Sequence, residues 1–207
     1  MRGSTPSVQI SVVALMTCAL VRLTLGLWDS SDENTLLLLV ISERVLATAA
    51  FAAVIPFVLS RLPAWGRAGL AVWGASLVCA LYSAIWIAYV LRARGAGGWI
   101  ISDLWFVIDP VCLAIGLAII AIATVRGVAT AEEQRPRGLE YAAFGVAAAG
   151  ATAMVAELFL FVAGPSKTLE LMTEICIVFE LVVLAGILAL ARARIAVKDL
   201  PEARTLN

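Results

Sequence analysis

Glu43, Arg44, Asp109, Glu157, Glu174 and Glu180 each stand inside a long run of apolar residues, with Arg22 and Asp103 nearer the ends of two such runs. An ionisable group at bilayer depth costs roughly 2.5–3.5 kcal/mol on insertion scales. It is kept where it meets a partner, water or a ligand. Six carboxylates face two guanidinium groups in this set. A low dielectric does not sustain the excess negative charge. Either some carboxyls keep their protons, or a cation binds among them, or water reaches deep between the helices. Arg44 suits an ion pair with a carboxylate on another helix, and Arg22 suits either such a pair or a reach to the headgroups. Glu43 adjoins Arg44 in sequence, but neighbours on a helix point about 100° apart. Glu174 and Glu180 fall within an arc of about 120° on one helix.

Two further patterns accompany the charges. Asp109-Pro110 has the form of an N-cap followed by the first helical position, and proline disfavours helical geometry in the residue before it. The pair suggests a helix break at Pro110, against an ordinary proline kink in a continuous helix, which is the commoner outcome. Tyr82, Trp86 and Tyr89 recur at helical spacing, so they share one face. They form either part of an interfacial belt with Trp28, Trp99 and Trp105 or, through Tyr82 and Trp86, a lining of π faces for a cation.

What is missing narrows the chemistry. The chain has no histidine, which removes imidazole metal sites, histidine-held haem and Ser-His catalysis. Cys18, Cys79, Cys112 and Cys176 each stand alone in a different apolar run, as small buried hydrophobes do. No phosphate loop, HExxH or GxSxG motif is present. No cofactor and no metal is therefore expected. The net charge is zero, so nothing attracts nucleic acid.

The elements that must position these residues are membrane spans. Of the 207 residues 62% are hydrophobic and 14% charged, against about 45–50% and about 25% in soluble domains. Six runs are long enough to cross about 30 Å of hydrocarbon: 9–28, 36–60, 69–91, 101–125, 139–163 and 169–191. The run from Val8 to Trp28 is longer than the core of a signal peptide and reads as the first span. The expected fold is all-α, one transmembrane domain of six helices. Short connections leave no room for a soluble domain. Basic residues set the orientation. Arg2, Arg61, Arg67, Arg126, Arg135, Arg137, Arg192, Arg194, Lys198 and Arg204 fall on one side, and Arg92, Arg94 and Lys167 on the other. The expectation is N-in/C-in, in the plasma (inner) membrane. All eight ionisable residues then lie in the outer half of the bilayer, above an apolar inner half. In the fifth run Ala142, Gly145, Ala149 and Ala153 follow the spacing of close helix packing.

Three functions fit these features. The first is binding or transport of a cation or small cationic solute through an acidic, aromatic-lined cavity in the outer half. Glu43, Arg44, Asp109, Glu157, Glu174, Glu180, Tyr82 and Trp86 would form the ligand site. In size and topology alone, the chain resembles the six-helix substrate-binding subunits of vitamin uptake systems, which implies a membrane-protein partner. The second is an intramembrane enzyme with a protonated carboxyl as general acid, in outline the chemistry of small membrane-bound terpenoid cyclases and isomerases. The third is a non-catalytic subunit of a larger membrane complex. In every case the lipid bilayer is a partner.

Overall fold

Long uninterrupted apolar sequence with few helix breakers leaves the backbone one way to satisfy its own polar groups, and the chain takes it. In the computed structural model, backbone is described for residues 4–27, 33–93, 99–128, 137–164 and 166–198, with side chains as far as Tyr82 in the third helix and from Ile108 in the fourth. The described residues form six helices and no strand: α1 Ser4–Leu27, α2 Glu33–Arg61, α3 Ala64–Ala93, α4 Trp99–Val128, α5 Arg137–Ala163 and α6 Lys167–Lys198. All six are long and apolar enough to cross a membrane. Each coincides with one apolar run and adds polar turns at its ends.

The connections are as tight as the sequence suggests. Between α2 and α3 the turn at Leu62-Pro63 is closed by the Gly66 N–H donating to the Pro63 carbonyl at 2.9 Å. At the end of α5, Gly164 adopts φ 91° and its N–H donates to the Leu160 carbonyl at 3.0 Å. That left-handed cap suits glycine, which lacks the Cβ that would clash there.

Sequential helices pack against one another around a closed ring, α1 also meeting α6, and α4 touches α6 across the middle. The α2–α3 seam is the thinnest, bridged by an edge-to-face contact of Phe51 and Trp73 with centroids 5.4 Å apart. Inward displacement makes α4 the most enclosed helix. It is buried over 61% of its apolar stretch, against 22% for α2 and for α5. The α3–α4 contact is close because glycines face each other. A Cβ on Gly116 would lie 2.8 Å from the Trp73 backbone nitrogen and 3.0 Å from the Gly69 carbonyl.

One alternative falls away and one expectation needs correction. Pro110 lies inside a continuous α4, so the helix is not broken there. The Asp109 carboxylate, which would have capped a second half-helix, is engaged by other helices instead. In α5 the buried stripe is Ala143, Val146, Gly150, Ala153 and Ala156, while Ala142, Gly145 and Ala149 are only partly covered. The close-packing face is rotated by about one residue from the expected one.

Apolar and charged layers separate along the bundle. Leu15, Val54, Phe57, Val58, Trp73, Leu117, Ile120, Leu184 and Leu188 form a fully buried plug. Leu20, Val45, Val78, Phe144 and Val162 are as apolar and point outward, as they would towards lipid. Exposed Thr17, Thr48 and Thr152 turn their hydroxyls back onto the carbonyl four residues earlier, at 2.8–2.9 Å. None of these three hydroxyls is thereby left free on the apolar surface.

Candidate charged site between the helices

Register within each antiparallel helix pair decides which polar groups meet. In the α3–α4 pair, Gly69 and Gly116 cross at closest approach. Seven residues later on α3 is Ser76, and seven earlier on α4 is Asp109. Two turns return a residue to nearly the same face, and the Ser76 hydroxyl donates to Asp109 Oδ1 at 2.6 Å. The α1–α2 pair repeats the pattern. The Ser11 hydroxyl donates to the Ala50 carbonyl at 3.0 Å, and seven residues further on Cys18 Sγ lies 3.8 Å from Glu43 Oε1.

An alternating chain of charges joins these pairs. Glu174 Oε2 accepts from Arg22 Nε at 2.7 Å, and Arg22 Nη1 reaches Glu43 Oε1 at 3.3 Å. Arg44 Nε lies 3.1 Å from Glu43 Oε2, close enough for charge pairing but off the line of a hydrogen bond. Arg44 Nη1 then meets Asp109 Oδ2 at 3.0 Å, and Asp109 meets Ser76. The sequence of partners runs α6–α1–α2–α4–α3. All five helices contribute from the same end of the bundle, where α1 finishes and α2 starts.

Arg22 therefore turns inward to two carboxylates. Glu43 and Arg44 meet despite their divergent Cα–Cβ directions, because the long arginine side chain wraps sideways along the helix. Glu174 and Glu180 do not act together. The arc between them is wide enough that Glu174 faces α1 while Glu180 faces α4 and α5.

Glu180 is fully buried, and neither of its carboxyl oxygens has a hydrogen-bond partner. It fits because the opposing residue is Gly150, where a Cβ would collide with Glu180 Oε1 and lie 3.0 Å from Ala114 Cβ. Two turns along this α5–α6 register stand Glu157 and Thr173. Thr173 is buried and its hydroxyl also lacks a partner. Glu157 is half-buried, with no ion pair among the described residues. Tyr82 is 43% exposed and sits on the outer surface of α3. The side chains of Trp86 and Asp103 lie outside the described residues.

Thus Arg22 joins Glu174 to Glu43 and Arg44 joins Glu43 to Asp109, while Glu180 and Glu157 stand apart on the α5–α6 face. Sequence reasoning missed Ser76, Cys18, Thr173 and Gly150. The seven-residue spacings from the small-residue crossings were a usable signal for Ser76 and Cys18, once the helix pairs were known. Nothing in the sequence marked Gly150 over the other small residues of α5.

Among the described residues no group of three or more acidic or thiol side chains has the arrangement of a metal site. The chain is defined as an all-helical protein with six helices apolar enough to span a membrane and a charged layer within one half. No protein-family model, curated protein or solved structure matches it.

Proposed function

We propose that the chain is a multi-pass protein of the plasma membrane, with both termini cytoplasmic, that binds and passes a small monovalent cation or cationic amine in the outer half of the bilayer. The observation that carries this reading is the set of buried polar atoms left unpaired beside the ion-paired chain: both Glu180 oxygens and the Thr173 hydroxyl. Buried polar groups in folded proteins have partners, and each exception needs an explanation such as an ion or water. A carboxylate enclosed without an ion pair costs several kcal/mol, and a bound cation offsets that cost. Within this layer the described carboxylates are Glu43, Asp109, Glu157, Glu174 and Glu180, against Arg22 and Arg44. Both guanidinium groups are already engaged by the first, second and fourth of these acids. The cation accordingly belongs on the α4–α5–α6 side, with Glu180 and Glu157 as acidic ligands.

The test is flux into proteoliposomes of sodium, potassium and methylammonium, compared between wild type, Glu180→Gln and Glu157→Gln. The reading expects flux of at least one cation, reduced tenfold or more by Glu180→Gln. Absence of flux and of binding for all three cations refutes it, as does flux indifferent to both substitutions.

A second reading is favoured by the ion-paired chain itself. Four of the proposed ligand residues are tied to one another or to Arg22, as in a structural lock, which suits a non-catalytic subunit. Stoichiometric co-purification of a membrane partner, with no cation flux by the isolated chain, selects it.

A further inference from the structure

The opposite end of the bundle holds a second feature, independent of the charged layer. A groove of about 420 Å³ runs between α5 and α6, lined by Gly138, Leu139 and Ala142 on one side and Val183, Gly186, Ile187, Leu190 and Arg194 on the other. Two glycines open it. A Cβ on Gly138 or on Gly186 would meet nothing within 4 Å, so neither glycine serves packing within the chain. Along α6 the lining residues recur at three- and four-residue intervals from Val183 to Arg194, a stripe about 16 Å long at 1.5 Å per residue. The walls are apolar and the far end is cationic.

That cation has company. Arg137 starts α5 at the same level, Arg192 lies two residues before Arg194 on α6, and Arg61, Arg67 and Arg126 lie at this end of α2, α3 and α4. Arg126 is stacked over Trp65 at 5.8 Å. No ion pair among the described residues neutralises Arg137, Arg192 or Arg194. Glu140 is the one acidic residue described in the first turn of α5.

We propose that this groove is a binding site for an anionic phospholipid, one acyl chain lying between α5 and α6 and the phosphate at Arg194, with Arg137 beside it. The shape argument is the apolar stripe, long enough for much of a single acyl chain. The charge argument is a guanidinium with no ion pair among the described residues, at the end where headgroups lie. Basic pockets between transmembrane helices on the cytoplasmic side hold anionic headgroups in this manner. A partner helix would fit the apolar walls but would leave Arg194 facing another polar end without a phosphate.

The experiment uses the full chain in phosphatidylcholine vesicles, with spin-labelled phosphatidylglycerol and phosphatidylcholine as probes of the motionally restricted lipid population. Wild type should retain phosphatidylglycerol about fivefold over phosphatidylcholine, the increment expected of one basic residue at the surface. Arg194→Gln should bring the ratio close to one. Gly186→Leu should reduce restricted lipid of both kinds, because it fills open space without touching the helix packing; an unchanged unfolding midpoint checks that the fold is intact. Equal retention of the two lipids by wild type, or a preference unaffected by both substitutions, overturns the proposal. So does a shift from dimer to monomer on Gly186→Leu, measured by light scattering, since the groove would then hold a second copy of the chain.

Discussion

Replacing Arg22 with methionine tests whether the alternating charges hold the bundle together. The Arg22 side chain is 12% exposed and bridges Glu43, 5% exposed, and Glu174, 28% exposed. Breaking a buried pair by removing one partner costs about 3–5 kcal/mol, because a buried charge is left alone. Here the penalty is softened on both sides. Glu43 keeps Arg44 at 3.1 Å. Glu174 is partly open to water, where an ion pair is worth roughly 0–1 kcal/mol. The expected loss for Arg22→Met is therefore about 2–3 kcal/mol, roughly 30- to 150-fold in the folding equilibrium. Reversible unfolding in mixed micelles of increasing dodecyl sulfate content, followed by helical circular dichroism, measures it. The triple change Arg22→Met/Glu43→Gln/Glu174→Gln removes the orphaned charges and leaves Arg44 with Asp109, so it should recover most of the loss. A single variant within about 0.5 kcal/mol of wild type, the ordinary range of an inconsequential surface change, would refute the reasoning. A triple variant no more stable than the single would do so as well.

Two further outcomes are expected by the same measurement. Ser76→Ala removes the 2.6 Å donor to Asp109 Oδ1 and should cost about 1–2 kcal/mol, between the averages for buried hydrogen bonds in membrane proteins and those to charged groups in water; no loss would mean the bond is not formed. Gly116→Ala should destabilise by about 1–3 kcal/mol, since its Cβ meets backbone atoms of α3 at 2.8 and 3.0 Å that cannot yield without separating the helices. Gly186→Ala meets nothing and should be neutral or slightly stabilising, so equal effects at the two glycines would contradict the α3–α4 crossing.

The helices and the layering were legible because both rest on how much apolar residue a stretch contains. Leu117 in the core and Val78 on the outside contribute alike to such a run, yet one is fully buried and the other 67% exposed. That equivalence is also why faces were not legible. In a soluble helix the apolar stripe points inward, but where lipid is the solvent it points nowhere in particular. The rotated face of α5 follows from this, since Gly145 and Gly150 are indistinguishable without knowing what lies opposite. Polar residues keep their directional meaning, and Arg44 accordingly found a carboxylate on another helix as its chemistry required. Asp109-Pro110 misled because an aspartate before proline has the same residue types whether it caps the following backbone or reaches across to Ser76 and Arg44. Only the neighbouring helices decide between those uses.

The ion-paired chain also explains why any ligand chemistry should fall on α5 and α6. Both guanidinium groups are engaged between carboxylates of α2, α4 and α6, Ser76 on Asp109 adds α3, and neither guanidinium is left for α5. What α5 presents to its neighbours is a glycine at Glu180 and a carboxylate at Glu157, with small residues between. The helix that lacks an internal counter-charge is thus the one facing the enclosed, unpaired acid. If the two regions have separate roles, their perturbations should separate too. Arg22→Met should lower stability far more than Glu180→Gln, and Glu180→Gln should reduce cation flux tenfold or more in a bundle that still unfolds near the wild-type midpoint. Equal losses of stability from both would place Glu180 within the structural lock and remove the reason for assigning it a ligand.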